Sequence, residues 1–345
     1  MKKIISLILS LALCIGACIA FTSCGDTSES KVKINPDKEK YVIGICEIME
    51  HQALTDATNG FKDALTAALS AAGREVEFKH QNAQGDGNAN TTIINSFITS
   101  DVDLILANGT AALTAAYNAT ETIPIIGTSI TDYATALGIN DFTGVTGCNV
   151  SGTSDLAPLT EQADIMIDLL GLTEGSIIGL IYCSAEANSK YQIRIVKSYL
   201  EEKGIICKDY AFSDSNDIPS VAQGAASTCD AIYIPTDNTA VSNADTIYNV
   251  CSPAGVPVFV ADTGSCAKCG FATLSASYYN IGKKAGEMAA EVLLGKADIT
   301  TLAIESDQTP VKMYNKFICD ELGINTEELE AKGFTKLDGT DEKDN

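Results

Sequence analysis

From Tyr41 onward, short apolar runs alternate with longer stretches whose apolar residues recur every three or four positions. Short runs rich in β-branched residues read as buried strands, and the 3.6-residue period reads as amphipathic helix. The pattern predicts strands over Tyr41–Cys46, Glu75–His80, Leu104–Ala107, Pro124–Gly127, Ile177–Tyr182, Ile205–Phe212, Ala231–Ile234 and Val256–Val260. It predicts helices over Leu54–Ala72, Asn88–Thr99, Ala111–Ala119, Leu156–Leu170, Asn188–Lys203, Ser220–Thr228, Ala240–Ala254 and Tyr278–Leu294. Gly73, Gly171, Gly204 and Gly295 follow the last helical turns, where a left-handed residue closes a helix. Strand–helix repetition implies parallel sheets covered on both faces. The unit occurs twice, over about 40–130 and 175–262, separated by the Gly/Thr/Ser-rich stretch Thr143–Ser154. Two such units imply two α/β lobes around a cleft. The helix from Tyr278 follows an extended Phe271–Ser277 and is expected to cross back to the first lobe.

The chain begins with an address. Lys2 and Lys3 precede an apolar stretch from Ile4 to Ala20, then Phe21-Thr22-Ser23-Cys24 and the polar run Gly25–Ser30. A basic n-region, a short apolar core and small residues before a cut describe a secretory signal, and the run is short for a bilayer span of about 17–25 residues. A cysteine just after the cut resembles a bacterial lipobox, with Cys24 as the lipidated first residue; Cys18 fits less well because apolar chain continues past it. Residues 25–39 are polar, contain Pro36 and read as a tether.

Composition narrows the chemistry. Of 345 residues, 46% are apolar and 20% charged, enough for sizeable cores. Net charge is −22, and loss of Lys2 and Lys3 with the signal takes it to −24. Such a chain is repelled by phosphate backbones and anionic headgroups, so nucleic-acid binding and polybasic membrane contact are disfavoured. Two histidines leave little for metal binding or imidazole catalysis, and no cofactor or metal is called for. Twelve cysteines, less two in the signal and Cys24, leave nine; Cys266-Ala267-Lys268-Cys269 lacks the second pair a zinc site needs and reads as a local disulfide or a plain loop. There is no G-x-S-x-G, Walker loop or H-E-x-x-H, and no catalytic residue is assigned.

In open parallel sheets, ligands lie beyond the carboxyl ends of strands. The first unit places Glu50 and His51, then Thr110, then Thr128 and Ser129 there. The second places Glu186, Asn188 and Ser189, then Asp237 and Asn238, then Asp262. Hydroxyls and helix N-termini suit a carboxylate and acidic side chains suit an ammonium, so the facing halves are complementary to a zwitterion. Each such residue also serves as an ordinary helix cap. Asp237, one residue past Ile232-Tyr233-Ile234-Pro235, and Glu186 carry the strongest expectation of contacting an ammonium.

Taken together, Glu50-His51-Gln52-Ala53-Leu54, Gln81-Asn82-Ala83-Gln84-Gly85-Asp86, Glu186-Ala187-Asn188-Ser189, Ile234-Pro235-Thr236-Asp237-Asn238-Thr239 and Gly282-Lys283 through Glu287-Met288-Ala289 resemble the substrate-binding lipoproteins of bacterial ABC importers, tryptophan/tyrosine type. The likeness spans nearly all of 40–325. It implies a two-lobed, type I periplasmic-binding-protein-like α/β fold with a closing cleft, an aromatic amino acid as ligand, and a membrane permease as partner. It also implies an extracytoplasmic location with membrane attachment through the Cys24 lipid alone. It places Thr110 and Ser129 toward the ligand carboxylate, with Asn188, Ser189, Asp237 and Glu186 or Asp262 opposite. The chain departs from the family at Asp132-Tyr133, where Asp-Pro is common, and at Thr110-Ala111, where Thr-Pro is favoured. The expected organisation is a signal over 1–23, a tether over 24–39, one lobe from 40–150 plus 275–304, a second from 151–274 plus 305–335, and an acidic tail over 336–345. Competing readings are a ligand sensor feeding a receptor and a secreted small-molecule enzyme.

Overall fold

The structure, a computed structural model, describes residues 32–306 and 309–340. The signal segment and Cys24 lie outside the described residues. Strands β1 (Lys40–Glu47), β2 (Glu75–Asn82), β3 (Leu104–Asn108), β4 (Ile125–Ile130) and β5 (Val150–Ser154) come first. Strands β6 (Ile177–Cys183), β7 (Ile206–Phe212), β8 (Ala231–Ile234), β9 (Val258–Val260) and β10 (Ala272–Ser275) follow, then β11 (Glu305–Ser306), β12 (Val311–Tyr314) and β13 (Thr335–Lys336). They form two sheets, ordered β2-β1-β3-β4-β5-β11 and β7-β6-β8-β9-β10-β12-β13. Every pairing is parallel except β10 with β12.

The alternation of side chains along each strand explains the layering. Ile43, Ile45, Leu104 and Leu106 face one way, against Phe61, Leu65, Met288 and Val292 of helices Gln52–Ala71 and Tyr278–Leu293. Cys46, Ile105 and Ala107 face the other way, onto Ile94, Phe97 and Leu113 of helices Gly87–Thr99 and Thr110–Ala119. The second sheet is buried in the same manner in its own core. The return of the Tyr278 helix to the first lobe depends on glycine. A Cβ on Gly282 would overlap the Ala57 carbonyl oxygen and lie 2.6 Å from the Ala57 Cα, so the two helices touch backbone to backbone.

Strand β5 lies in the stretch that reads from sequence as a connector. It has no apolar run because its neighbours leave no room for one. Gly152 has φ 145°, and a Cβ there would overlap the Gly127 carbonyl oxygen. The buried polar positions are bonded instead: Ser151 Oγ donates to the Leu302 carbonyl (2.9 Å), and Thr153 Oγ1 donates to Thr128 Oγ1 (3.1 Å). The helix expected over 240–254 is two, Asn238–Ser242 and Ala244–Cys251, broken at Asn243.

Sheet membership corrects the expected lobe boundaries. Because β5 and β11 pair in the first sheet, the chain crosses between lobes after Ser154, after Ser275 and after Ser306. Residues 32–39 are no tether: Lys33 N–H donates to the Thr122 carbonyl (2.8 Å), Lys38 pairs with Asp103 (2.6 Å), and Val32 and Ile34 pack on the first-lobe core. Residues 336–340 are likewise attached, through Leu337 N–H to Tyr314 and Phe317 N–H to Thr340. All nine cysteines of the described residues are free; Cys266 and Cys269 are buried without a disulfide, and the segment is neither a bridge nor a plain loop but the end of a short helix, Thr263–Lys268, with Cys269 at its C-cap. No helix among the described residues is long and apolar enough to cross a membrane.

Candidate ligand-binding site

In each sheet the strand order reverses beside the first strand of the unit, β1 between β2 and β3, and β6 between β7 and β8. Loops leaving such switch points diverge and open a crevice at the carboxyl ends. The crevices of the two lobes face each other around a cavity of about 610 Å³. Ile48, Met49, Thr110, Ala111 and Ala115 line it from the first lobe, and Glu186, Asn188 and Asn238 from the second. The volume suits one small ligand.

Of the expected residues, Thr110, Glu186, Asn188 and Asn238 line this cavity, whereas His51, Ser129 and Asp262, like Asp237, lie behind its lining. Glu50 is exposed on the loop after β1. Thr128 is fully buried between strands, occupied by Thr153. Ser189 is buried in its helix. Asp237 does not line the cavity: its Oδ2 accepts from Cys183 N–H (2.6 Å), and its Oδ1 accepts from Ala240 N–H (2.8 Å), capping Asn238–Ser242. Glu186 is equally engaged, taking both N–H groups of Asn238 (3.0 and 2.7 Å) and the N–H and hydroxyl of Thr239 (2.9 and 2.8 Å). Both residues build the second-lobe wall.

Ser129 stands apart. It has φ 56°, a left-handed conformation that costs a serine about 1–2 kcal/mol, and its buried Oγ has no hydrogen-bond partner. Close by, Asp155 and Tyr278, neither of them marked as site residues in the sequence, form a buried polar centre where the chain crosses between lobes. Thr131 Oγ1 donates to Asp155 Oδ1 and the Tyr278 hydroxyl to Oδ2, both at 3.0 Å. Asp155 carries no local sequence signal because β5 has no apolar pattern and the following helix starts only at Leu159. Asp262, from the second lobe, caps Thr263–Lys268 through Ser265 N–H and Oγ (both 2.7 Å) and lies close enough to His51 for that ring to act on its charge. His51 crosses to the second lobe, its Nε2 3.3 Å from Asn238 Oδ1.

Asp155, Asp237 and Asp262 are all buried, and none is ion-paired to lysine or arginine among the described residues. Burial pushes Asp155 up to about 6, helped by the charge of Asp262 and opposed by the two hydroxyls. It raises Asp237, with Glu186 adding, and raises Asp262 against the bonds from Ser265. Carboxyls whose folded pKa exceeds the unfolded value near 3.8 hold extra protons in the folded state. Stability therefore falls as pH rises through that window, up to about 6 for Asp155 and about 8 for Asp237. The melting temperature of the ligand-free protein is expected to be higher at pH 5 than at pH 7.5 by differential scanning fluorimetry; a flat or opposite profile would mean these groups are solvated.

Two lobes joined by three crossovers, with converging polar loops around a cavity between them, define a solute-binding protein. The chain belongs to the family of ABC transporter substrate-binding proteins, whose model matches residues 42–333. It is 32% identical over 344 residues to a tyrosine-binding protein of Clostridioides difficile, covering 97% of this chain and 94% of that one. Among solved structures, the ABC domain of Streptococcus pneumoniae in complex with L-Trp is 28% identical with a TM-score of 0.78, over 85% of this chain and 99% of that one. A ligand-free, open substrate-binding protein with adhesive properties from Clostridium difficile, also 28% identical, has a TM-score of 0.63 over 83% and 95%. The fold is the expected type I periplasmic-binding-protein-like one. The family and these neighbours are solute-binding proteins, and proteins of this family are extracytoplasmic.

Proposed function

We propose that this protein captures an aromatic L-amino acid, tryptophan or tyrosine ahead of phenylalanine, and delivers it to a membrane permease. The observation that carries this is the pair of unlike walls between the lobes. Thr110, at a helix N-terminus, and the unpartnered Ser129 hydroxyl suit a carboxylate, whereas the buried second-lobe Asp262, without a lysine or arginine partner among the described residues, suits an ammonium. Asn188 lies on the same wall, and Asp237, Ser189 and Glu186 hold it in shape. Ile48, Met49, Ala111 and Ala115 provide an apolar surface for a ring. The relatives named for tyrosine binding and bound to tryptophan support the aromatic choice. Ligand touching both lobes stabilises only the closed population, which is how capture works.

The chain has no tryptophan and twelve tyrosines, so titrated L-tryptophan should give new, saturable indole emission by energy transfer. At a hundredfold excess over Kd the ligand should stabilise by about 2.7 kcal/mol, several degrees of melting temperature. No shift with any of the twenty amino acids and no saturable emission would remove the ligand assignment.

Attachment is through a lipid on Cys24. Cys24→Ser is expected to release the protein into the medium or leave it unprocessed, read by fractionation and intact mass. Unchanged membrane association of a cleaved chain would sink this anchor.

A further inference from the structure

We infer that the side-chain amide of Asn90 hydrogen-bonds the phenol hydroxyl of the ligand, so that tyrosine is preferred and Asn90 is the residue that separates it from phenylalanine. This rests on the amino-acid reading above. Asn90 sits one turn into helix Gly87–Thr99, beyond its Asp86 cap. It lines the first-lobe side of the cavity and is only 3% exposed. Ile48 and Met49, from the loop after β1, and Ala111 and Ala115, from helix Thr110–Ala119, line the same side. A buried neutral amide therefore stands in the part of the wall that is otherwise suited to a ring.

Its surroundings fix which way the amide points. The Asp86 carbonyl only accepts, so the atom 3.5 Å from it is the nitrogen. The oxygen then faces Cys46, whose S–H donates to it at 3.4 Å. Burial pushes that thiol up to about 12, so it keeps its hydrogen. Neither bond satisfies the amide. The Asp86 carbonyl already takes the Asn90 backbone N–H at 3.1 Å, and a thiol is a weak donor. One hydrogen on Nδ2 and one lone pair on Oδ1 are left without a partner among the described residues. A carboxylate uses only the hydrogen and an ammonium only the lone pair, whereas a hydroxyl donates and accepts and so matches both. With the carboxylate at Thr110 and the ring on Ala111 and Ala115, the hydroxyl is the group left to meet the neighbouring helix. Indole N–H, which only donates, fills one of the two roles. Phenylalanine fills neither and buries the amide against a C–H. A site that hydrogen-bonds a hydroxyl rejects the analogue lacking it, because its own polar group is then left unpaired.

Isothermal titration calorimetry with L-tyrosine, L-phenylalanine and 4-fluoro-L-phenylalanine tests the contact. Fluorine occupies the hydroxyl's position but donates nothing and accepts poorly, which separates hydrogen bonding from shape. Tyrosine is expected to bind roughly 10- to 100-fold more tightly than either analogue. In Asn90→Leu, similar in size and apolar, the three should fall within about threefold of one another, because tyrosine loses a partner and phenylalanine does not. Asn90→Ala introduces the strongest helix former, keeps the helix if leucine does not fit, and should collapse the ratio in the same way. A tyrosine affinity matched in the parent by phenylalanine or by its 4-fluoro analogue, or a preference that survives in a folded variant, overturns the inference and leaves the amino-acid reading standing. If none of the twenty amino acids binds the parent, that reading fails and the Asn90 contact with it.

Discussion

Asp262→Asn is expected to lower the affinity for L-tryptophan by a hundredfold or more while the protein stays folded. The substitution is isosteric. Asparagine is as good an N-cap as aspartate, so Oδ1 can still accept from Ser265 N–H, and the Ser265 hydroxyl can turn to accept from the new amide. What disappears is the negative charge. A partly buried ammonium deprived of its carboxylate loses about 3–5 kcal/mol. Stability of the ligand-free form should hold or rise, because burial already raises the Asp262 carboxyl and disfavours its charge. Asp237→Asn is the contrasting variant. An amide placed there meets Cys183 N–H or Ala240 N–H with a donor, so it should cost about 1–3 kcal/mol of stability and alter affinity mainly through the deformed wall. Isothermal titration calorimetry and urea unfolding separate the two. If Asp262→Asn binds within a few fold of the parent while a folded Asp237→Asn does not bind, the ammonium belongs to Asp237.

Gly282→Ala should be the most damaging single-methyl change in the first lobe. The new Cβ has backbone on the far side, the Ala57 carbonyl, with Ala57 Cα at 2.6 Å, and no flexible side chain can yield. Gly60 faces the same crossing, where a Cβ would overlap the Tyr279 carbonyl oxygen and lie 2.8 Å from Lys283 N. Relief requires the helices to separate, which opens the contacts of Ala285, Met288 and Phe61 on β1 and β3. A loss of about 3 kcal/mol or more is expected, at the upper end of overpacking penalties. Urea unfolding checks it against Gly87→Ala, a site with open space and negative φ, which should be neutral or slightly stabilising. Equal midpoints for the two variants would mean the helices do not meet as described.

The binding-protein architecture was legible because burial leaves a local mark. β1, β3, β6 and β8 lie between helices on both faces, so their residues are almost all apolar and the runs stand out. The loops at their ends followed from strand direction, which is why Thr110, Glu186, Asn188 and Asn238 fall on the cavity. β5 left no such mark: backbone contact at Gly152 and hydroxyl bonds from Ser151 and Thr153 replace apolar burial. Because β5 carries no apolar signature, nothing local marks Asp155 behind it, and the crossovers fall a few residues from where periodicity alone predicts them.

The sequence by itself determined two parallel α/β units, their strand-end loops and the unlike chemistry of the facing walls, because apolar periodicity and helix caps are properties of neighbours along the chain. Only the tertiary structure decided which caps can also serve a ligand. Asp237 and Asp262 look alike in sequence, each an aspartate two or three residues beyond a strand and at the head of a short helix. One is turned to the β6 backbone and the other lies near His51 across the cleft. That distinction arises from lobe packing between residues some two hundred positions apart, and such long-range distances have no local periodicity in which to appear.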